Sequence, residues 1–395
     1  MKNEFAIFAG IIAMLFFTPL VAQGQISQAQ PAPASQAKAS ALPQAPNSSR
    51  TGSPYPAAAP GTLTLDVVVT DKSGQPVAGL QPEDFKLLDN KQPQALISVE
   101  AENGMKAKAD PPVEAILLID AVNAPYQTTT MERQWLAGFF KENGGELALP
   151  TSLVILTDDG INFQSRPARD GKTLQAFLDA NVPGFRKTRR AEGKQGIMER
   201  EYSSLNALNL LAQQLSKRPG RKLLIWLSHG WSAISNPEWI GGEKDRQAIY
   251  GSIASFSTEM RNARITLYSV SPFGSYGRDE NYMNYLKGVD DPRHADLGDL
   301  LLPVLATQSG GLVPYEGNDL AIPINHCIAD ARTYYTLTFN PPKASHANEY
   351  HGIEVEIGKP GLKARTRTGY YAQSTASAEQ PILKLSLSTG KESKE

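Results

Sequence analysis

The chain has 395 residues, with 39 Lys and Arg against 40 Asp and Glu, so its formal net charge is −1. This balance excludes an argument from overall charge for binding nucleic acid or an acidic surface. The apolar content of 41% is ordinary for a globular protein, and the length leaves room for two domains and a tail. The single cysteine, Cys327, excludes an internal disulfide framework.

The N-terminus has the pattern of a secretory signal. Lys2 precedes an apolar stretch from Phe5 to Val21, and Ala22-Gln23-Gly24 places small residues at the positions typical of a cleavage site. We therefore expect a signal peptide over residues 1–24 and a periplasmic or secreted protein; an uncleaved membrane anchor is the alternative. Residues 25–60, rich in Gln, Pro, Ala and Ser, are predicted to form a disordered linker.

Residues 112–333 alternate between strand-like and helix-like segments. The predicted strands are Ala115–Asp120, Ser152–Thr157, Lys222–Ser228, Arg264–Val270 and Leu312–Tyr315. The predicted helices are Thr129–Asn143, Gly171–Ala180, Tyr202–Lys217, Asp245–Asn262, Leu297–Thr307 and Asp319–Arg332. This alternation predicts a doubly wound α/β fold, in which a mostly parallel sheet carries helices on both faces.

Two mainly β segments flank this region. Residues 61–105 and residues 334–373 both alternate with the period of half-buried strands, and each is too short to be stable alone. We therefore expect the two segments to pair into one small module resembling a β-sandwich. Residues 374–395 are expected to form a flexible tail.

The strand Val113–Asp120 is a nearly continuous apolar run that ends in a carboxylate. Such a run is typical of a strand that is buried on both faces of a parallel sheet. Ligands of open α/β sheets bind beyond the carboxyl ends of the strands, which makes Asp120 the first candidate site residue.

Motifs on both sides of this strand resemble those of secreted bacterial proteins related to the von Willebrand factor A (VWA) domain. The residues that carry the resemblance are Val67–Val69, Gly74-Gln75-Pro76-Val77, Glu83-Asp84-Phe85, Tyr334-Tyr335, Thr338-Phe339-Asn340-Pro341-Pro342, Gly358-Lys359-Pro360-Gly361-Leu362-Lys363 and Arg367-Thr368-Gly369-Tyr370-Tyr371. The resemblance covers Thr62 to Ala372. It implies a VWA-like domain over residues 112–333 and a metal-ion-dependent adhesion site at its first strand.

That implied metal site is degenerate in this sequence. The family pattern is Asp-x-Ser-x-Ser, and here Val122 and Ala124 occupy the two serine positions after Asp120. A rebuilt site for Mg²⁺ or Ca²⁺ could use Asp120, Asn123 and Ser228. In the alternative interpretation Asp120 is structural and braces its own loop, which we prefer because one carboxylate rarely holds such an ion tightly. No cofactor is therefore expected beyond a weak Mg²⁺ or Ca²⁺ site.

Trp226-Leu227-Ser228-His229-Gly230-Trp231 resembles the nucleophile elbow of hydrolases but lacks the first glycine. Asp290, Asp291 and His294 follow it in the chain order that a serine hydrolase requires. A polar transition from strand to loop explains the same residues without catalysis. Asp158-Asp159-Gly160 is likewise predicted to be a turn.

Aromatic residues cluster in the loops after the later strands and would either bind a protein or pack the loops down. They are Trp231, Trp239, Tyr250, Phe273, Tyr276, Tyr282 and Tyr285. We expect a non-enzymatic, adhesion-type module that binds a protein partner through these loops. The predicted partner-binding residues are Asp120, Asn123, Ser228, His229 and Trp231. No nucleic acid partner and no membrane span after signal cleavage are expected, and a serine hydrolase using Ser228 remains the enzymatic alternative.

Overall fold

The computed structural model describes residues 61–106, 113–124, 126–181, 193–228, 230–231, 242–272, 280–314 and 320–373. The predicted signal peptide, linker and tail lie outside the described residues, as do His229, Trp239, Phe273, Tyr276 and Tyr315.

The described residues form strands and helices in an order that changes from β to α/β and back to β. The strands are β1 (Leu63–Thr70), β2 (Phe85–Asp89), β3 (Gln92–Gln94), β4 (Leu96–Glu102), β5 (Val113–Asp120), β6 (Glu146–Thr157), β7 (Gly160–Phe163), β8 (Ala168–Asp170), β9 (Arg221–Leu227), β10 (Ile265–Val270), β11 (Tyr334–Phe339), β12 (Glu349–Ile357), β13 (Lys363–Arg365) and β14 (Gly369–Ala372). The α-helices are α1 (Tyr126–Phe139), α2 (Gly171–Asn181), α3 (Gly193–Leu215), α4 (Glu243–Asn262), α5 (Leu302–Gln308) and α6 (Ala321–Ala329).

The central sheet is mostly parallel, as predicted. Its strand order is β10-β9-β5-β6-β7, in which the first four strands run parallel and β7 is antiparallel to β6; β8 also pairs with β6. The chain proceeds from β5 to β6 on one side and later returns to place β9 on the other side of β5. The strand order therefore reverses at β5, and it is at such a reversal that doubly wound sheets form a crevice at the carboxyl ends of their strands.

Helices flank both faces of this sheet because successive side chains of its strands point in opposite directions. Ile116 and Leu118 of β5 belong to an apolar cluster with residues of α3, α4 and α5. Leu117 and Ile119 belong to a second cluster with residues of α1, α2 and α6. All eight residues of β5 are buried, which explains its continuous apolar sequence.

The structure departs from the predicted elements at several places: α3 begins at Gly193 instead of Tyr202, and β6 begins at Glu146 instead of Ser152. The predicted helix Leu297–Thr307 is divided into a 3-10 turn, Leu297–Leu300, and α5, because Pro303 is tolerated in the first turn of a helix but not in its interior. Residues 312–314 form no strand, although the Leu312 carbonyl accepts a hydrogen bond from Ser269 N at 3.1 Å. The short edge strand β7 was not predicted, whereas the turn at 158–160 that leads into it was, and that turn is confirmed.

The two flanking β segments pair with each other, as predicted, in two four-stranded antiparallel sheets. Their strand orders are β13-β1-β11-β4 and β14-β12-β2-β3, so each sheet mixes strands from before and after the parallel sheet. One apolar cluster joins both sheets and includes Val67, Leu87, Tyr335 and Tyr370. Tyr335 also holds the loop before β2, because its hydroxyl donates to Val77 O at 3.0 Å and accepts from Leu80 N at 3.1 Å.

The described part of the chain holds no helix with both the length and the apolar character needed to cross a membrane.

Candidate functional site at the reversal of strand order

Asp120 ends β5 at the crevice and is fully buried. Its Oδ1 accepts hydrogen bonds from Val122 N (3.1 Å) and Asn123 N (3.0 Å). Its Oδ2 accepts from Asn123 Nδ2 (2.8 Å), Trp226 Nε1 (3.0 Å) and Ser228 Oγ (3.0 Å). A carboxylate offers about four lone-pair positions, so five donors occupy its accepting capacity. Asp120 therefore fixes its own loop and joins β5 to the end of β9.

Asn123 extends this network to helix α3. Its Nδ2 also donates to Ser204 Oγ at 2.8 Å, and the buried Ser204 hydroxyl in turn donates to Arg200 O at 3.0 Å. The structure thus brings together three of the sequence-predicted residues, Asp120, Asn123 and Ser228. It adds Trp226 and Ser204, which the sequence analysis did not assign to the site.

The arrangement around Asp120 does not fit a divalent cation. Mg²⁺ and Ca²⁺ require several oxygen lone pairs directed at one point. Here the Asn123 amide nitrogen and the Ser228 hydroxyl direct protons at Asp120, and Val122 and Ala124 have no side-chain oxygen. Across the described segments, no group of three His, Cys, Asp or Glu side chains is placed to hold a metal ion.

Ser228 lacks the geometry of a nucleophile in this structure. Its side chain is buried, and its Oγ accepts from Gly230 N at 3.2 Å while it donates to Asp120. An activated serine needs a base that takes its proton and an open path to substrate. The partners of Ser228 Oγ are Asp120 and Gly230, whereas the predicted acid–base residues lie at the surface, where His294 Nδ1 is 3.3 Å from Asp290 Oδ1 and Asp291 pairs with Arg293.

The described aromatic residues of the loops pack inward. Trp231 is 4% exposed and meets Trp226 edge-on, with ring centroids 5.2 Å apart. Tyr250 and Tyr282 are also buried, and the Tyr250 ring meets that of Tyr371 at 5.9 Å. Asp120, Ser228 and Trp231 can consequently affect a partner only through the loops that they hold in place.

Two buried carboxyl groups, Glu132 of α1 and Glu201 of α3, were missed by the sequence analysis. Among the residues that the structure describes, neither oxygen of either group has a hydrogen-bond partner. Burial, and secondly the charge of Asp120, raises the pKa of Glu132 well above its usual value. Burial alone raises the pKa of Glu201 to about 8. Helical spacing was the available signal, because Glu132 falls four residues before the buried Leu136 on the same helix face.

Replacement of Glu201 by glutamine is expected to stabilise the protein increasingly as the pH rises above about 4.3, with the full effect above about pH 8. The folded-state pKa is about 8 and an unfolded glutamate titrates near 4.3, so the native protein holds the extra proton between these values. The contribution of this group to stability is fully present below pH 4 and is lost as the pH rises to about 8. Glu201→Gln removes this loss, which is worth about 1.4 kcal/mol per unit of pKa shift.

Urea unfolding at pH 4.5 and pH 8.5 measures this effect as a difference between variant and unaltered chain. Glu199→Gln, on an exposed position of the same helix, is the matched control and should show no comparable change with pH. Equal stability of Glu201→Gln and the unaltered chain at pH 8.5 would contradict the assigned pKa.

Comparison with known proteins adds no further constraint: no protein-family model matches the chain, and neither does any curated protein.

Proposed function

We propose that this chain is an exported, non-enzymatic module that binds a protein partner. In this proposal residues 112–333 form a VWA-like domain with a degenerate metal site, and residues 61–105 and 334–373 form a β-sandwich-like module beside it. Two features support the VWA-like assignment: the motifs in the sequence and a doubly wound sheet whose strand order reverses at Asp120. The signal-like N-terminus supports export to the periplasm or beyond the cell.

The observation that carries the proposal is the hydrogen-bond saturation of Asp120. In a catalytic or metal site at this crevice, the carboxylate would keep an oxygen free for substrate or ion. Here five donors from its own loop and from β9 use both oxygens. The crevice is therefore built for rigidity, which favours recognition by the surrounding surface over chemistry.

Two helices that adjoin the Asp120 loop carry exposed residues of types common in protein interfaces. Tyr202 is 47% exposed on α3, the helix whose Ser204 bonds to Asn123. Met131 is 40% exposed on α1, the helix that follows the Asp120 loop. Tyrosine and methionine are enriched in interfaces, where they bury large areas on binding. We assign Tyr202, Met131 and the half-buried Asn123 to the partner-binding surface.

Affinity capture from periplasmic and culture fractions of the source cells, with the full chain as bait, tests this assignment. The unaltered chain should retain a partner, and the amount retained should fall at least tenfold with Tyr202→Ser or Met131→Ser as bait. Ile97→Ser is the matched control, because Ile97 is 56% exposed but lies on β4 of an antiparallel sheet.

Retention should be unchanged by EDTA, since the proposed contacts need no metal. Loss of the partner in EDTA together with heat on titration of Mg²⁺ or Ca²⁺ into the unaltered chain would instead support a rebuilt metal site. Labelling by a serine-directed probe that disappears in Ser228→Ala would overturn the non-enzymatic assignment.

A further inference from the structure

A second site lies at the opposite edge of the parallel sheet, where a polar recess separates β1 from the start of β10. The enclosed part of the recess is small, about 10 Å³ or room for about one water, and about 280 Å³ is empty when the open solvent at its mouth is counted. Its lining residues are Thr64, Asp66, Arg261, Arg264, Ile265, Thr266, Ser309, Thr366 and Arg367. Parallel strands begin at one edge and end at the other, so this recess is remote from the Asp120 crevice and independent of the proposed function.

Positive charge exceeds negative charge in this recess. Three arginines and a single carboxylate, Asp66, line it. Asp66 is already paired, because both Nη2 and Nε of Arg264 donate to it and Arg221 Nε lies 4.0 Å from its Oδ2. Asp66 therefore has little accepting capacity left for Arg261 and Arg367.

Arg367 is buried and Arg261 is half-buried, and within the described part of the chain neither has a carboxylate of its own. Arg367 is 8% exposed, and the buried Arg261 Nε has no hydrogen-bond partner among the described residues. Burial, and next the charge of Arg261, lowers the pKa of Arg367 to about 9. The charge of Asp66 acts in the opposite direction and raises this pKa, but its effect is smaller than either of the other two. Two guanidinium groups held close together in this way destabilise each other.

A bound anion would relieve this repulsion. Guanidinium groups donate paired hydrogen bonds that match the oxygens of phosphate or sulfate. The hydroxyl groups of Thr64 and Thr266 also line the recess and could complete the coordination of such an ion. We propose that the recess between β1 and β10 binds a small tetrahedral oxyanion, held chiefly by Arg261 and Arg367.

The test is the thermal unfolding of the full chain at pH 7.5 as sodium phosphate or sodium sulfate replaces sodium chloride at constant ionic strength. The unaltered chain should show a saturable rise in melting temperature of about 2–4 °C. Arg261→Gln and Arg367→Gln should each require at least tenfold more phosphate for the same rise. Arg293→Gln is the matched control and should keep the full rise, because the Arg293 side chain is 79% exposed and pairs with Asp291 away from the recess.

The stability of the variants without oxyanion separates a binding role from a purely structural one. Arg261→Gln removes one of two repelling cations, so it should be at least as stable as the unaltered chain in chloride alone. Absence of a saturable rise in the unaltered chain, or an equal rise in both recess variants, would overturn the proposal and indicate an adventitious ion only. A rise with O-phosphoserine as large as that with inorganic phosphate would assign the oxyanion to a larger phosphorylated ligand.

Discussion

Replacement of Asp120 by alanine is expected to lower the free energy of unfolding by about 4 kcal/mol. The change removes the acceptor of five hydrogen bonds at once and leaves Trp226 Nε1 and the Ser228 hydroxyl buried. Each buried donor without an acceptor costs about 1–3 kcal/mol. Urea unfolding at pH 7, followed by tryptophan fluorescence, measures the change.

Asp120→Asn distinguishes the loss of an acceptor from the loss of side-chain volume. Asparagine has the same size, but its amide nitrogen would face the donors that now surround Oδ2, namely Asn123 Nδ2, Trp226 Nε1 and Ser228 Oγ. Most of the destabilisation should therefore persist in Asp120→Asn. If this variant unfolds at the same urea concentration as the unaltered chain, the structural role assigned to Asp120 is wrong.

Asp330→Asn is expected to lower the free energy of unfolding by about 3 kcal/mol, because Asp330 joins three parts of the fold. It directly follows α6, and both of its carboxylate oxygens lie 2.6 Å from Arg365 Nη2 of β13. Its Oδ2 also accepts from the Tyr268 hydroxyl of β10 at 2.7 Å. Removal of one member of a buried ion pair typically costs about 3–5 kcal/mol, since the partner stays charged.

Glu356→Gln is the matched control for this ion pair. Glu356 Oε2 lies 2.7 Å from Lys86 Nζ, and the Glu356 and Lys86 side chains are 48% and 58% exposed. Exposed pairs contribute about 0–1 kcal/mol, so urea unfolding of Glu356→Gln should differ little from that of the unaltered chain. Similar losses in Asp330→Asn and Glu356→Gln would show that burial does not govern the energy of the Asp330 pair.

The sequence was sufficient to predict the central sheet and the juxtaposition of Asp120 and Ser228 at the candidate site. The apolar runs of β5 and β9 indicated strands buried on both faces, and helical segments between strands indicated parallel pairing. Parallel pairing places the ends of β5 and β9 side by side, which is why Asp120 and Ser228 could be assigned to one site before their 3.0 Å contact was seen. Cys327 of α6 is fully buried in the apolar cluster on one face of the sheet.

Other features depend on tertiary contacts that local patterns do not encode. The hydrogen bond from Trp226 to Asp120 requires a particular side-chain rotamer on the neighbouring strand, and Ser204 reaches Asn123 across more than 80 residues of sequence. The strand β7 has only four residues, which is too short for periodicity to distinguish it from a loop. The arginines of the recess between β1 and β10 come from α4, from the residue before β10 and from the segment between β13 and β14, so no local sequence motif predicts the recess.

The pairing of the flanking strands also dictates when the antiparallel sheets can be completed during synthesis. Leu63 of β1 pairs with Phe339 of β11, and Val68 pairs with Arg365 of β13. A nascent chain therefore carries β1 and β4 without their strand partners, and β2 with only β3, until the α/β region has emerged. Prior folding of that region would bring the waiting strands close to their partners and reduce the entropy lost in closing so long a loop. Assembly of the two halves is in this way tied to completion of the segment between them.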